Sequence, residues 1–240
     1  MSETPRVRVT IAAPVSEVRN ALRDRERIRH WHGWEFDGGP DGSLDQEIEL
    51  IYFTDVTVGE HRIDLNGGDT IELEPVDGGT RVTLTRAAPG DDPDWARYYD
   101  EITEGWITFI HQLQFAVERH PRDARRTVLL RGKAPTAVIA ISDDARLRAG
   151  ESYEGSLAGE SVNGRVWFTS HHQLGLTVPE WNDALLVVNR DQDGDVEMAL
   201  LSVYGVDEDR FAELRDRWVA WWQGSDLAVD DARAQSSKEP

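Results

Sequence analysis

The chain has 240 residues, no cysteine, and 45 acidic against 26 basic side chains, for a formal charge of -19. Without cysteine, disulfides, thiolate metal sites and cysteine nucleophiles are excluded. The acidity disfavours nucleic acid and anionic membranes as partners, because affinity for both rests on Lys and Arg.

The length accommodates one large domain or two small ones. There is no run of about 18 apolar residues, and the opening MSETPRVRVT lacks the charged-then-apolar pattern of a signal peptide; a cytoplasmic protein is expected. Lys occurs only at positions 133 and 238, a bias that a GC-rich genome or a saline habitat would produce.

RVRVTIAA (6–13) alternates, with Val7, Val9 and Ile11 on one face, as a half-buried strand does. Pro14 suits the first position of a helix through Val15, Val18, Ala21 and Leu22, and a second short helix is expected at RERIRHW. From GSLDQEIELIYF to TRVTLTRA the pattern predicts antiparallel strands with turns at Gly59, Asn66-Gly67 and Asp77-Gly78-Gly79.

Asp91, Asp92 and Asp94 then provide the cap and dipole complement of a long helix reaching about His120. Tyr98, Tyr99, Ile102, Trp106, Phe109, Ile110 and Leu113 lie within one broad face of it. A helix of ~25 residues spans on the order of 35 Å, enough to cross a sheet.

PRDARR marks a boundary near residue 121, and a second pass over the same plan follows. A constant shift superimposes Tyr99 on Phe211, Ile102 on Leu214, Trp106 on Trp218, Phe109 on Trp221 and Ile110 on Trp222. The segments IELEPVDGGTRVTLT and LLVVNRDQDGDVEMALL both read strand, Asp-Gly turn, strand. Ala13-Pro14 has an echo in Ala134-Pro135, followed by a shorter apolar helix through Val138, Ile139 and Ile141. Asp226 to Pro240 is polar and without periodicity, the composition of a disordered tail. The expected organisation is a first domain at 1–120, a degenerate second copy at 121–225, and an acidic tail at 226–240.

The segments VTIAAPVSEVRNALRDRERIRHWHGWE, IELEPVDGGTRVTLT and YYDEITEGWITFIHQLQFAVE together resemble the START-like, or SRPBCC, superfamily. The resemblance is to its AHSA-like branch, activators of the ninety-kilodalton heat-shock chaperone ATPase. It rests on an opening strand with an Ala-Pro-x-x-x-Val helix, a trailing Trp, a Gly-Gly-Thr hairpin, and a final helix with Gly-Trp near its middle. It covers residues 6 to 120, and the second half matches in its last three elements.

The resemblance implies an α+β, helix-grip (START-like) fold, a curved antiparallel sheet wrapped around a long C-terminal helix, followed by a second, degenerate copy. It also implies a cavity between sheet and helix that takes an apolar small molecule. By position, Trp31, Tyr52, Tyr99 and Ile102 would line it together with Trp106, Phe109 and Ile110, and Trp34 would stand near its mouth. The plain alternative makes the same residues core, since a helix on a sheet needs an apolar face in any case.

Residues with chemistry are sparse. His30 and His32 in RHWHGW lack a third metal ligand and read as solvated side chains at a helix end. His171 and His172 would face opposite sides of a strand. Asn189, Asp191, Asp193 and Gly194 superficially match a calcium loop, but Leu200 occupies the position of the bidentate Glu, and a hairpin turn is expected. Glu101 and Glu104 flank the aromatic face as acid or base candidates or as a solvated flank, and Tyr52, Tyr98 and Tyr99 offer hydroxyl donors. No nucleophile elbow, phosphate loop or dinucleotide fingerprint occurs. No catalytic residue, metal or cofactor is therefore assigned.

Three functions stand open. The first is non-enzymatic binding of a small hydrophobic molecule. The second is a cyclase- or aromatase-like enzyme acting on a polyketide, and the third is interaction with a chaperone or other protein, without nucleic acid or membrane.

Overall fold

Two antiparallel sheets, each followed by a long helix, divide the chain into units at residues 1–125 and 126–240. The computed structural model describes residues 6–35, 43–88, 93–142, 144, 146–190 and 196–236.

In the first unit β1 (Arg6–Ile11) alternates exposed and buried positions, placing Val7, Val9 and Ile11 inward. Pro14 takes the N-cap of α1 (Val15–Arg23), one position earlier than its sequence preference, and α1 buries Val18, Ala21 and Leu22. Asp24 caps α2 (Arg25–Arg29), its carboxylate accepting from the backbone N–H of Glu26 and Arg27. β2 (Thr57–Val58), β3 (Arg62–Asp64), β4 (Thr70–Val76) and β5 (Gly79–Thr85) complete a sheet of order β1-β5-β4-β3-β2, and α4 (Pro93–Arg119) packs on β1.

The stretch expected to begin the strands is instead a helix, α3 (Leu44–Tyr52). Ser43 and Gln46 form a reciprocal capping box at its start, and Ile48 and Tyr52, four apart, are its buried residues. The Ser-x-x-Gln signature outweighs the β-propensity of the Ile and Tyr residues. The other strands and their turns lie where the sequence places them. At Gly79 a Cβ would stand 2.0 Å from the Ile11 carbonyl oxygen, so the β4–β5 hairpin closes against β1 only with glycine there.

The outer edge of β1 is not left bare. Gln114 Nε2 donates to the Thr10 carbonyl at 3.0 Å, and Glu118 accepts from the Ala12 N–H at 2.8 Å. Side chains of α4 thus satisfy backbone groups that an open edge would present to another strand. Asp91 and Asp92, the expected cap of α4, lie outside the described residues.

The second unit comprises β6 (Arg125–Arg131), whose first residue belongs to the first unit, α5 (Thr136–Ser142), β7 (Ser152–Leu157), β8 (Glu160–Thr169), β9 (Gln173–Val178), β10 (Ala184–Arg190), β11 (Val196–Tyr204) and α6 (Glu208–Ser236). Its sheet order is β6-β11-β10-β9-β8-β7. In both units the first strand lies beside the last, and the rest follow in reverse order. This is the helix-grip arrangement, present twice.

Phe211, Leu214, Trp218 and Trp222 of α6 are buried in the second core with Val128, Leu176, Val188 and Leu201. Asp191, Asp193 and Gly194 lie outside the described residues, and the strands flanking them pair as a hairpin. The backbone of α6 continues through 226–236, part of the stretch read as a disordered tail, where Ala, Arg and Gln favour helix; 237–240 lie outside the described residues. No described helix is long and apolar enough to cross a membrane.

Candidate functional site

The turn after α2 carries Trp31, His32, Gly33 and Trp34, and its shape is set by Gly33 at φ +58. A side chain there would be strained, and its Cβ would stand 2.7 Å from Leu44 Cδ1. Arg125 fixes the same turn, donating from Nη2 to the carbonyls of His32 and Gly33 and from Nη1 to Gln112 Oε1 at 2.7 Å.

Trp31 is fully buried and donates its indole N–H to the Ala21 carbonyl at 3.0 Å. His32 is fully buried as well, and four rings surround its imidazole. Trp31, Tyr52, Trp106 and Phe109 have centroids 5.7, 5.0, 6.2 and 4.4 Å from it. Trp31 and Tyr52 meet edge to face at 5.5 Å, as do Trp106 and Phe109 at 6.2 Å. Trp34 lies 6.4 Å from Phe109. These two rings are half-buried, whereas Trp31, Tyr52 and Trp106 are buried.

A chain of polar contacts runs through this aromatic cluster. Tyr52 Oη is 2.8 Å from His32 Nδ1, and His32 Nε2 is 3.2 Å from Glu47 Oε1. A carboxylate only accepts, so Nε2 carries the proton, Nδ1 presents its lone pair, and the Tyr52 hydroxyl donates to it. Burial holds the His32 imidazole below its usual pKa; the Glu47 contact opposes this and the Arg125 charge reinforces it. Burial also pushes the Tyr52 phenol well above its ordinary range, which keeps it a phenol. His30, half-buried, is lowered by burial and by Arg125.

The structure thus brings Trp31, Tyr52, Trp106, Phe109 and Trp34 together. Ile110 is fully buried and Ile102 half-buried on the same helix. Tyr99 belongs to a different cluster, where its hydroxyl donates to the Ala87 carbonyl at 2.6 Å and the Arg86 guanidinium lies 4.4 Å from its ring. Arg86 is itself buried and paired with Asp69 at 3.0 Å. Glu101 is exposed and Glu104 half-buried, and the Tyr98 side chain lies outside the described ones.

Two histidine readings need correction. His32 is a buried hub, not a solvated helix end: the chain turns inward at Gly33 and Glu47 is there to accept its N–H. His171 and His172 lie between β8 and β9, not on a strand, with their rings edge to face at 4.4 Å. Sequence reasoning missed Glu47 and Arg125. The one available signal for Glu47 was the capping box, which makes its segment a helix and places Glu47 five residues before Tyr52, both within reach of His32.

The second unit has its own aromatic set. Trp218 meets Trp181 at 5.0 Å and Trp221 at 5.3 Å, and Glu160 accepts from Trp181 Nε1 and from Arg217. A half-open groove of about 550 Å³ lies between α5 and β7, bordered by Ala137, Ala140, Ile141, Tyr153 and the Asp144–Arg146 ion pair.

No family model matches the chain, and no curated protein matches it. Solved structures similar to it include AHSA1-like and ARO/CYC proteins. The di-domain ARO/CYC BexL from the BE-7585A biosynthetic pathway is 15% identical with a TM-score of 0.39, covering 99% of this chain and 95% of its own. The di-domain ARO/CYC StfQ from the steffimycin biosynthetic pathway is 12% identical with a TM-score of 0.33, covering 89% and 91%. An AHSA1-like protein from Rhizobium etli is 21% identical with a TM-score of 0.32, covering 48% of this chain and 81% of its own. The helix-grip assignment rests on the strand circuits themselves.

Proposed function

We propose that the first unit binds a small apolar, aromatic molecule against Trp34 and Phe109. The observation that carries this reading is the pairing of these two half-buried rings with a floor of buried ones, Trp31, Tyr52 and Trp106. Gly105 supports it. Glycine inside a helix costs about 1 kcal/mol relative to alanine, yet a Cβ at Gly105 would find only Phe109, at 3.8 Å. Packing does not require glycine there, and its missing side chain leaves room beside the Phe109 ring. Ligand affinity would come from apolar area removed from water, with a few polar groups fixing orientation.

The test is titration with a naphthalene-sized fluorophore, followed by tryptophan quenching, on the native chain and on Gly105→Leu. Saturable binding that Gly105→Leu abolishes without lowering the melting temperature supports the reading. Binding that is unchanged in Gly105→Leu removes this site from consideration.

A second reading, cyclase- or aromatase-like chemistry in the same place, is favoured by the Tyr52–His32–Glu47 chain, because acid–base work needs a buried base with a fixed tautomer. Conversion of an aromatic polyketide precursor by the native chain, lost in His32→Asn, would establish it; no turnover leaves binding alone.

A further inference from the structure

The Glu47–His32–Tyr52 chain has a direction. We infer that it makes the Tyr52 oxygen a hydrogen-bond acceptor toward a molecule held in the aromatic cluster, and so selects an aromatic ligand bearing a hydroxyl donor over one bearing only acceptors. This inference rests on the binding reading above and names the ligand class of that site.

Glu47 Oε1 has only lone pairs to offer, which places the imidazole proton on Nε2. His32 Nδ1 can then only accept, and the phenol 2.8 Å away must donate. A phenol has one hydrogen, and it is committed to His32. What remains on Tyr52 Oη is acceptor capacity, on a side chain that is fully buried.

The groups packed around His32 hold this polarity. From its own segment comes Trp31; from α3, Glu47 and Tyr52; from α4, Trp106 and Phe109. Arg125, which grips the His32 carbonyl, brings a positive charge that opposes a second proton on the ring. Only Glu47 among the three relay members reaches solvent, with 40% of its side chain exposed. The Phe109 ring is half-buried and 4.4 Å from the imidazole, so a ligand would approach the chain from its side. A ligand hydroxyl would donate to Tyr52 and extend the chain. A ligand ether or carbonyl would face an oxygen with no hydrogen to give, leaving two buried acceptors opposed.

β-Naphthol and its methyl ether share a ring system and differ in the donor, so their affinity ratio reads the polarity directly. The native chain is expected to favour β-naphthol by at least about five-fold, the range of one buried hydrogen bond. Tyr52→Phe brings the ratio to one, and Glu47→Gln lowers it because an amide can also donate to Nε2. A loss of packing alone would weaken both probes together and leave the ratio unchanged.

Nitrogen NMR of the native chain gives a readout independent of ligand and variant. The expected His32 tautomer is protonated at Nε2 with Nδ1 as acceptor, and an Nδ1–H tautomer overturns the inference. Equal affinity for the two naphthalenes also overturns it while leaving the binding site standing. Failure of both to bind removes the binding reading and the specificity inference with it.

Discussion

The two units trace the same circuit of strands and differ in what fills the middle. In the first, the ionisable side chains of His32, Asp69, Arg86, His120 and Arg125 are buried; in the second, the buried polar side chains are the neutral Thr127, Gln173, Thr177 and Ser202, among the described residues. A buried ionisable group is tolerated only when its partners are fixed in place. The first unit provides them, through Asp69 for Arg86, two carbonyls and Gln112 for Arg125, and Glu47 and Tyr52 for His32. The second achieves its core with Leu, Val and Trp. One scaffold therefore supports an apolar core and a polar, aromatic one, and the costly version marks where function is to be sought.

The largest break in this comparison is expected from Asp69→Ala. It strands the buried Arg86 guanidinium, a loss of about 3–5 kcal/mol, and hydrogen exchange followed by mass spectrometry should show early opening of β4, β5 and the start of α4 with the second unit still protected. Trp218→Ala is the mirror experiment. It empties the space between Trp181 and Trp221 at a cost of about 3–5 kcal/mol, and exchange should rise in β6 to β11. If either substitution opens both units to the same extent, their cores are not separate entities.

Acid sharpens the comparison. Burial lowers the pKa of His30, His32 and His111, the last to about 4. A base with a depressed folded pKa binds fewer protons folded than unfolded, so stability rises with pH across the window between the two values. The stability these groups contribute is complete above about pH 6.5 and is lost as the pH falls through their lowered values, toward about 4 for His111. For His111 alone the loss should reach about 3 kcal/mol, and it should fall on the first unit, which holds all three histidines. Denaturation midpoints measured from pH 7.5 to 4.5 check it, with His111→Gln expected to flatten the slope.

The smallest effect is expected for Tyr52→Phe. It removes one hydroxyl and leaves the His32 Nδ1 acceptor unmet, costing about 1–2 kcal/mol, visible as a modest fall in the melting temperature. His32→Asn should cost more, because it also empties the centre of four rings.

Most of the architecture is legible in the sequence because it is written in local periodicity. β1 alternates in period two, α4 and α6 carry aromatic stripes at helical spacing, and Asn66-Gly67 and Asp77-Gly78 mark tight turns. The register between the aromatic positions of α4 and α6 is legible for the same reason: Phe109 and its counterpart Trp221 are both half-buried, and Trp106 and Trp218 both buried. Residues 44–52 resemble a strand because Ile and Tyr favour strands, and the Ser43–Gln46 capping box is what decides them. The site was half legible. Its aromatic members announce themselves by hydrophobicity, whereas His32, Glu47 and Arg125 meet only through contacts 15 to 93 residues apart along the chain, which no local pattern encodes. Tyr99 shows the opposite failure: it shares the aromatic stripe, but the buried Arg86 recruits it elsewhere.

The most direct test of the account is an NMR titration of the native chain with β-naphthol, following the indole N–H signals of all nine tryptophans. The account requires saturable shifts at Trp31, Trp34 and Trp106, with Trp181, Trp218 and Trp222 unmoved. Shifts confined to the second unit's tryptophans, or none at a saturating concentration, would contradict the claim that the polar, aromatic interior of the first unit is a binding site.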